Sequence, residues 1–319
     1  MISVIMGTYN GAEYIIEQLD SIRLQTRQPD ELIISDDCST DNTFILVQSY
    51  IDKFKLKNWK LQKNSQNKGF QKNFLDLLQL SKGEFIFFAD QDDIWHPQKL
   101  ELMEQVMQKN KYIWTLCCGY QFIDSNGHIL PSSRLKDRRR KDDGGIQKIL
   151  FDDFLNWWSY PGMSMALRRN MLEYLPFFYI KNIIAHDWSI NLISCYKEHF
   201  FFFDKNLVKY RQHGKNVVGG IINRSHDFDE NRIDTVKKII DHYKQAQLIL
   251  KKIPSENLCY NKRLLYLNHK CTVYEYRLCY LKSTNILGCL LLIRFIKYYP
   301  RMRAYLGDIL SCLTLMSKR

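Results

Sequence analysis

The sequence is poor in the residues that break or cross-link a chain. Only 7 prolines and 14 glycines occur in 319 residues, and 45% of the chain is hydrophobic and 25% charged. A loop-rich, collagen-like or disordered protein is excluded by that balance. Nine cysteines are present, an odd number; none forms a C-x-x-C pair, and Cys117 and Cys118 are adjacent. This is neither a disulfide framework nor a zinc pattern, and it predicts small buried hydrophobes in a reducing cytosol. The longest apolar run, Ile286–Ile293, falls far short of the ~20 residues of a membrane span. Met1 leads straight into Ile2-Ser3-Val4-Ile5-Met6 with no basic n-region or small-residue cleavage site, so a cytoplasmic chain without a secretory leader is expected. Also missing are G-x-x-x-x-G-K-[ST] and G-x-G-x-x-G, the glycine loops that cradle phosphates in ATPases and dinucleotide enzymes.

What the chain does have is an uneven charge. The formal net charge is +12, yet residues 1–230 hold 29 basic and 29 acidic side chains, whereas residues 231–319 hold 17 basic and 5 acidic. The whole excess therefore belongs to the C-terminal stretch. No recognition motif accompanies it, so a nucleic-acid partner is not expected.

Strand–helix alternation fills the first hundred residues. Ile2–Met6 is a short apolar run, and Glu13–Gln25 has helical spacing through Tyr14, Ile15, Gln18, Leu19 and Ile22. Leu32–Ser35 is a second apolar run, followed by a helical stretch over Asp41–Phe54 with Asp41 as the expected N-cap. Trp59–Gln62 reads as a weak third strand, Phe70–Leu80 as a helix with Phe74, Leu77 and Leu78 on one face, and Glu84–Ala89 as a fourth strand. Short, largely apolar strands alternating with helices predict an α/β fold with a mostly parallel sheet and helices on both faces. From Tyr112 the pattern changes: Tyr112–Ile123, Asn126-Gly127 and His128–Leu130 predict a hairpin. Long helices are expected over 231–252 and 257–283. Basic Arg134–Lys141, followed by Asp142-Asp143-Gly144-Gly145, is the best candidate for a mobile loop. The expected division is an α/β catalytic domain over 1–225 and a basic, amphipathic helical region over 226–319.

In an open parallel sheet, ligands bind in the crevice beyond the carboxyl ends of the strands. Three segments lie there: Gly7-Thr8-Tyr9-Asn10-Gly11, Asp36-Asp37-Cys38-Ser39-Thr40-Asp41 and Asp90-Gln91-Asp92-Asp93. Six carboxylates at two strand ends repel one another unless cations or donors separate them. Asp90 and Asp92 can turn toward one hard divalent ion, a site that suits Mg²⁺ held by one or two carboxylates plus substrate phosphates. For Asp41, a turn and a helix cap remain a sufficient explanation.

Taken in order and spacing, Val4-Ile5-Met6-Gly7-Thr8-Tyr9-Asn10, Ser35–Asp41 and Asp90–Asp93 resemble the family-2 glycosyltransferases of GT-A fold, over about residues 1–220. The resemblance implies a Rossmann-like nucleotide-sugar domain and Mn²⁺ or Mg²⁺ as cofactor. It implies a donor site with Thr8, Tyr9 and Asn10 against the nucleotide, Asp37 on the base edge, and Asn67, Lys68 and Gly69 as the next contact. Asp90 and Gln91 would bind the donor, and Asp90 and Asp92 the metal. Tyr9 as a half-buried packing residue, and 67–69 as an ordinary turn, remain open alternatives.

Inverting transfer needs a general base within reach of the acceptor hydroxyl. The resemblance points to Asp187 in Ala185-His186-Asp187-Trp188; His186 stands where many members carry an acidic residue, so the match is partial. Asp187 could equally cap the helix it opens, and the two roles are compatible. On the acceptor side the resemblance implies Trp95, Gly162, Met163, Ser164, His186 and Trp188, with a core strand as the alternative for Met163 and Met165. In Tyr210-Arg211-Gln212-His213-Gly214-Lys215-Asn216, His213 would complete the metal site, or Arg211 and Lys215 would neutralise the diphosphate; a plain turn is the alternative. Asp93-Ile94-Trp95 and Tyr210–His213 are similar to a rhamnosyltransferase-like subgroup, which ranks dTDP-L-rhamnose ahead of a UDP-sugar as donor.

Arg294, Lys297, Arg301 and Arg303 surround Leu290–Phe295 and Tyr298-Tyr299, the composition of a helix lying on an anionic membrane surface. Helices that pack on the catalytic domain and present a solvated basic face explain it too. The reading that emerges is a metal-dependent inverting glycosyltransferase acting on a polyprenyl-linked or growing surface glycan at the inner membrane face. Its rivals are a sugar-phosphate nucleotidyltransferase, which would show a basic glycine loop after the first strand, and a non-catalytic membrane scaffold, against which Asp90, Asp92 and Asp187 speak.

Overall fold

A computed structural model describes residues 1–131, 141–156, 160–178, 185–214, 231–254 and 258–317. The chain divides into two compact units, Met1–Phe154 with Trp158–Ile221, and Leu155–Trp157 with Ile222–Arg319.

The first unit opens with the expected alternation: β1 (Ile2–Thr8), α1 (Ile15–Arg23), β2 (Glu31–Asp36), α2 (Thr43–Phe54), β3 (Trp59–Lys63), α3 (Phe70–Leu80) and β4 (Phe85–Ala89). The strands β3, β2, β1 and β4 lie side by side and parallel. Every residue of β2 and β4 is buried, which is why these strands read as unbroken apolar runs instead of alternating ones. Ile15, Leu19 and Ile22 of α1, and Phe74, Leu75, Leu77 and Leu78 of α3, supply the covering faces. α2 starts later than its sequence suggests: Asn42 occupies the cap position, and Asp41 instead accepts from the Thr43 N–H at 3.0 Å and the Ala12 N–H at 3.2 Å.

After β4 come β5 (Ile94–Trp95), α4 (Lys99–Lys109), β6 (Thr115–Ile123), β7 (Ile146–Lys148), α5 (Phe151–Asn156), a 3-10 turn at Gly162–Ser164, β8 (Met165–Arg168), a 3-10 helix at Arg169–Tyr174, α6 (Leu175–Phe178), α7 (His186–Tyr196) and β9 (Phe200–Arg211). Among the described residues the sheet runs β3-β2-β1-β4-β8-β6-β9-β5, with β7 also on β9. The predicted hairpin shrinks to a single bridge, Ile123 to Ile129. β6 pairs with β9 along its length but with β8 only over Thr115–Cys117, and the short return bonds to its carboxyl end, Leu130 N–H to the Phe122 carbonyl at 2.9 Å. The candidate loop at Arg134–Lys141 lies outside the described residues except for Lys141, whose N–H donates to Asp204 Oδ2 at 2.6 Å.

β8 positions the site. It runs antiparallel between β4 and β6, pairing Phe87 with Ala166 and Cys117 with Met165. Its amino end therefore points the way the carboxyl ends of β4 and β6 do, and β9, parallel to β6, ends opposite Ile123 at the carboxyl end of β6.

The second unit is helical: α8 (Asn231–Leu250), α9 (Leu258–Lys282), α10 (Ile286–Leu291), a 3-10 stretch at Leu292–Tyr298 and α11 (Met302–Ser317). Tyr243 of α8 meets Tyr274 of α9 edge to face at 5.1 Å. Asp308 of α11, 1% exposed, accepts from Arg277 Nε at 2.8 Å, Arg232 Nε at 2.7 Å and the Tyr299 hydroxyl at 2.9 Å. No described helix is long and apolar enough to cross a membrane.

Candidate active site

The three motif segments meet at one edge of the sheet. Thr8 and Asp36 are register partners at the ends of β1 and β2, and the Thr8 hydroxyl donates to Asp36 Oδ2 at 3.1 Å. Asp36 also accepts from Ser39, whose Oγ in turn takes the Asn10 N–H at 2.9 Å. Asn10 and Cys38 sit at φ 49° and 68°, left-handed conformations that asparagine tolerates better than most residues. Gln91 reaches across to Tyr9, accepting its N–H at 2.8 Å and donating to its carbonyl at 3.0 Å. That amide fills the space beside Gly11, where a Cβ would stand 2.2 Å from Gln91 Oε1. The Tyr9 ring, 46% exposed, is left open to solvent.

Asp37 is buried and already well supplied with donors: the N–H groups of Lys68 and Gly69 at 2.8 Å each and Asn64 Nδ2 at 2.8 Å. It fixes the 67–69 turn, in which Asn67 Oδ1 accepts from Gly69 at 2.9 Å and Gly69 adopts φ +77°. The sequence motifs at Asp37 and 67–69 are thus one hydrogen-bonded unit.

Beyond β4 the carboxylates crowd. Asp90 is partly buried, and desolvation pushes its carboxyl up to about 7; the charges of Asp92 and Asp187 add to this and Lys99 opposes it. Asp93 is fully buried, with Oδ1 accepting the Arg211 N–H at 3.0 Å and Oδ2 unpartnered. Burial, and after it the neighbouring Asp92 and Asp90 carboxylates, hold it well above the usual carboxylate range. Asp92 faces His213, with Oδ2 to Nε2 at 2.8 Å. Among the described residues no three His, Cys, Asp or Glu side chains converge into a metal cage. The Asp92–His213 pair with Asp90 nearby does fit a divalent ion whose remaining positions are filled by phosphate oxygens, the usual manner for Mg²⁺. Opposite stands Asp187 in the first turn of α7, whose Oδ2 accepts the Gly162 N–H at 2.8 Å and whose Oδ1 accepts the Trp188 N–H at 2.7 Å. The cap position itself belongs to Ala185.

A sequence profile of Glycosyl transferase family 2 matches residues 3–175. The chain belongs to this family. It is 30% identical over 227 residues to the dTDP-rhamnosyl transferase RfbG of Shigella flexneri, covering 68% of this chain and 74% of that protein. Over 206 residues it is 32% identical to the UDP-Glc:alpha-D-GlcNAc-diphosphoundecaprenol beta-1,3-glucosyltransferase WfgD of Escherichia coli, covering 61% and 74%. S. aureus TarS 1-349 in complex with UDP-GlcNAc superposes with a TM-score of 0.62 at 16% identity, over 100% of this chain and 92% of that one. The mannosyltransferase PcManGT of Pyrobaculum calidifontis, in complex with GDP-Man and Mn²⁺, does so with a TM-score of 0.53 at 15% identity, over 99% and 85%. These likenesses establish the GT-A fold.

Six residues expected at the donor or acceptor of this glycosyltransferase are buried in the protein. Arg211, expected at the diphosphate, is 1% exposed and its guanidinium is committed to protein acceptors. Nε donates to the Asp92 carbonyl at 2.8 Å, Nη1 to the Ser125 carbonyl at 2.8 Å and Nη2 to Glu17 at 2.6 Å. Trp95, expected near the acceptor, is 2% exposed in the core, with the Lys99 ammonium 3.5 Å from its ring centroid. Met163 is fully buried and contributes its carbonyl to Lys99 at 2.6 Å. His186 is buried between Phe74 at 4.5 Å and Phe88 at 5.6 Å, both nitrogens unpartnered, and burial depresses its pKa despite Asp187. It is a neutral packing ring below the site. Trp188 is buried at 6% exposure, and Ser164 donates to the Pro161 carbonyl at 2.7 Å. Lys215 lies outside the described residues.

Lys99 is the residue that motif reading misses. It is fully buried and its pKa falls to about 8 through desolvation. It links the carboxylate side to the Gly162–Ser164 turn that holds Asp187. Its signal in the sequence is weak: it stands one residue before Leu100 and four before Met103, both buried on α4.

Proposed function

We propose that this glycosyltransferase moves a sugar, with inversion and with a divalent metal, from a nucleoside diphosphate donor to a hydroxyl of a lipid-linked bacterial surface glycan. dTDP-L-rhamnose is the first-ranked donor, in keeping with RfbG, and a UDP-sugar the second, in keeping with WfgD and TarS. The name of WfgD specifies a diphosphoundecaprenol acceptor, which supports a lipid-linked acceptor here and work at the inner membrane face. The observation that carries the reading is that Asp187, pinned by two backbone N–H groups, stands close enough to Asp90 for its charge to raise that carboxyl, beside the Asp92–His213 pair.

The Tyr9 ring offers a face for the base. The Asp187 carboxylate takes the proton of the acceptor hydroxyl as its oxygen bonds to the anomeric carbon and the bond to the diphosphate breaks. Among the described residues each Asp187 oxygen accepts one backbone N–H, which leaves lone-pair capacity for that proton. When bound, a divalent cation held by Asp92 and His213 would supply the positive charge that stabilises the departing diphosphate. Asp187→Asn keeps the shape and removes the base. Transfer should fall by about 10²–10⁴ while nucleotide affinity stays near wild type, and unchanged turnover would sink the assignment. A donor panel with Mn²⁺ or Mg²⁺, scored by nucleoside diphosphate release, identifies base and sugar.

A further inference from the structure

The last helix of the second unit is built inside out. α11 buries Gly307, Asp308 and Ser311 together with Tyr305 and Cys312. It exposes Met302, Leu306, Leu310, Leu313 and Met316, each about half accessible. Steps of four, four, three and three residues place those five on one stripe. From residue 304 to 317 the only charged side chain is Asp308, which is buried, so the outward face carries no charge over about four turns. The preceding segment repeats the pattern: Leu287 is 74% exposed, and Leu291, Ile293 and Phe295 are exposed as well, while Cys289 and Leu292 are buried. Single exposed leucines are ordinary; a run across consecutive elements marks an interaction surface.

We propose that this α10–α11 face lies in the interfacial layer of an anionic lipid bilayer. Exposed Arg294, Lys297, Arg301 and Arg303 stand between the two apolar stretches. An apolar face rimmed with cations on a helix of 16 residues suits lying in the headgroup region, not crossing it. The charge also selects the occupant. A second copy seated on this face would bring the same four cations against these, whereas anionic headgroups bring the opposite sign. Tyr298 and Tyr299, grouped with the stripe by sequence, are buried at 5% and 6% exposure and take no part. The proposal rests on the lipid-linked acceptor only for its purpose; vesicle binding needs neither donor nor acceptor, so its failure is separable from failure of the transfer reading.

The test is flotation of the full chain with phosphatidylcholine vesicles containing about one-third phosphatidylglycerol, against phosphatidylcholine alone. Partitioning should be at least about tenfold stronger on the anionic vesicles. It should fall by about tenfold or more in Leu306→Glu/Leu310→Glu and comparably in Arg294→Gln/Lys297→Gln/Arg303→Gln, with release of nucleoside diphosphate from the donor on transfer to a soluble acceptor mimic unchanged in both. The second variant leaves every apolar side chain in place, so the proposal does not hang on the folding of the first. Equal flotation on the two vesicle types, or undiminished binding by both variants, would overturn it. So would light scattering that shows a dimer which Leu306→Glu/Leu310→Glu dissociates, without vesicle binding by wild type.

Discussion

At the scale of single residues, the carboxylates at the end of β4 differ by environment more than by spacing. Asp90, held up near 7, binds its proton more tightly when folded than when unfolded. Stability therefore falls as pH rises from about 4 to about 7, and the loss is complete above that. In the presence of a chelator, Asp90→Asn should raise the melting temperature at pH 8, by roughly 2–4 °C for each kcal/mol of relieved strain, and should leave it unchanged near pH 4. Divalent-ion-dependent donor affinity should climb through the same interval, since the ion competes with that proton. Asp92→Ala removes the proposed metal ligand and the partner of His213; calorimetry should show donor affinity that no longer responds to Mn²⁺. The cluster of acidic residues was legible in the sequence because its members are neighbours in the chain. Lys99 was not, because what buries its ammonium is the carbonyl of Met163, 64 residues away, and no local pattern encodes that distance. Arg211 shows the converse error: a basic residue beside a histidine reads as a phosphate ligand until its acceptors are found within the protein.

At the scale of elements, the parallel strands and their helices were readable because burial on both faces writes itself as an apolar run. The insertion of β8 between β4 and β6 was not, since Ala166 pairs with Phe87 and Leu116 across long stretches of intervening chain. The hairpin at Asn126-Gly127 was over-read in length only: the turn closes through Asp124 N–H to the His128 carbonyl and Leu130 N–H to the Phe122 carbonyl, and Pro131, the next residue, has no N–H with which to extend a ladder. Arg211 ties β9 to α1, to the β4–β5 connection and to the turn after β6, with its guanidinium 4.5 Å from the centroid of the Tyr14 ring. Lysine cannot reproduce this planar fork. Arg211→Lys should cost about 2–4 kcal/mol, measured by urea unfolding, and should lower transfer by disordering Asp92 and His213 together.

At the scale of the molecule, the +12 charge belongs to residues 231–319, where two of the cations, Arg277 and Arg232, flank one buried acid, Asp308. Asp308→Ala would leave the buried Arg277, and the partly exposed Arg232, without their carboxylate, a change worth about 3–5 kcal/mol. Hydrogen exchange should accelerate in α8, α9 and α11 and stay at wild-type rates in β1, β2 and β4. The two arginines precede Asp308 by 76 and 31 residues. At about 5–20 residues per second, a ribosome releases Arg232 several seconds before its partner has been synthesised. During that interval the nascent helices hold cations with nowhere dry to go, so the unit can close only once α11 has emerged. The order of translation thus becomes the order of assembly, and the helix that completes the fold is also the one that offers its greasy side to the membrane.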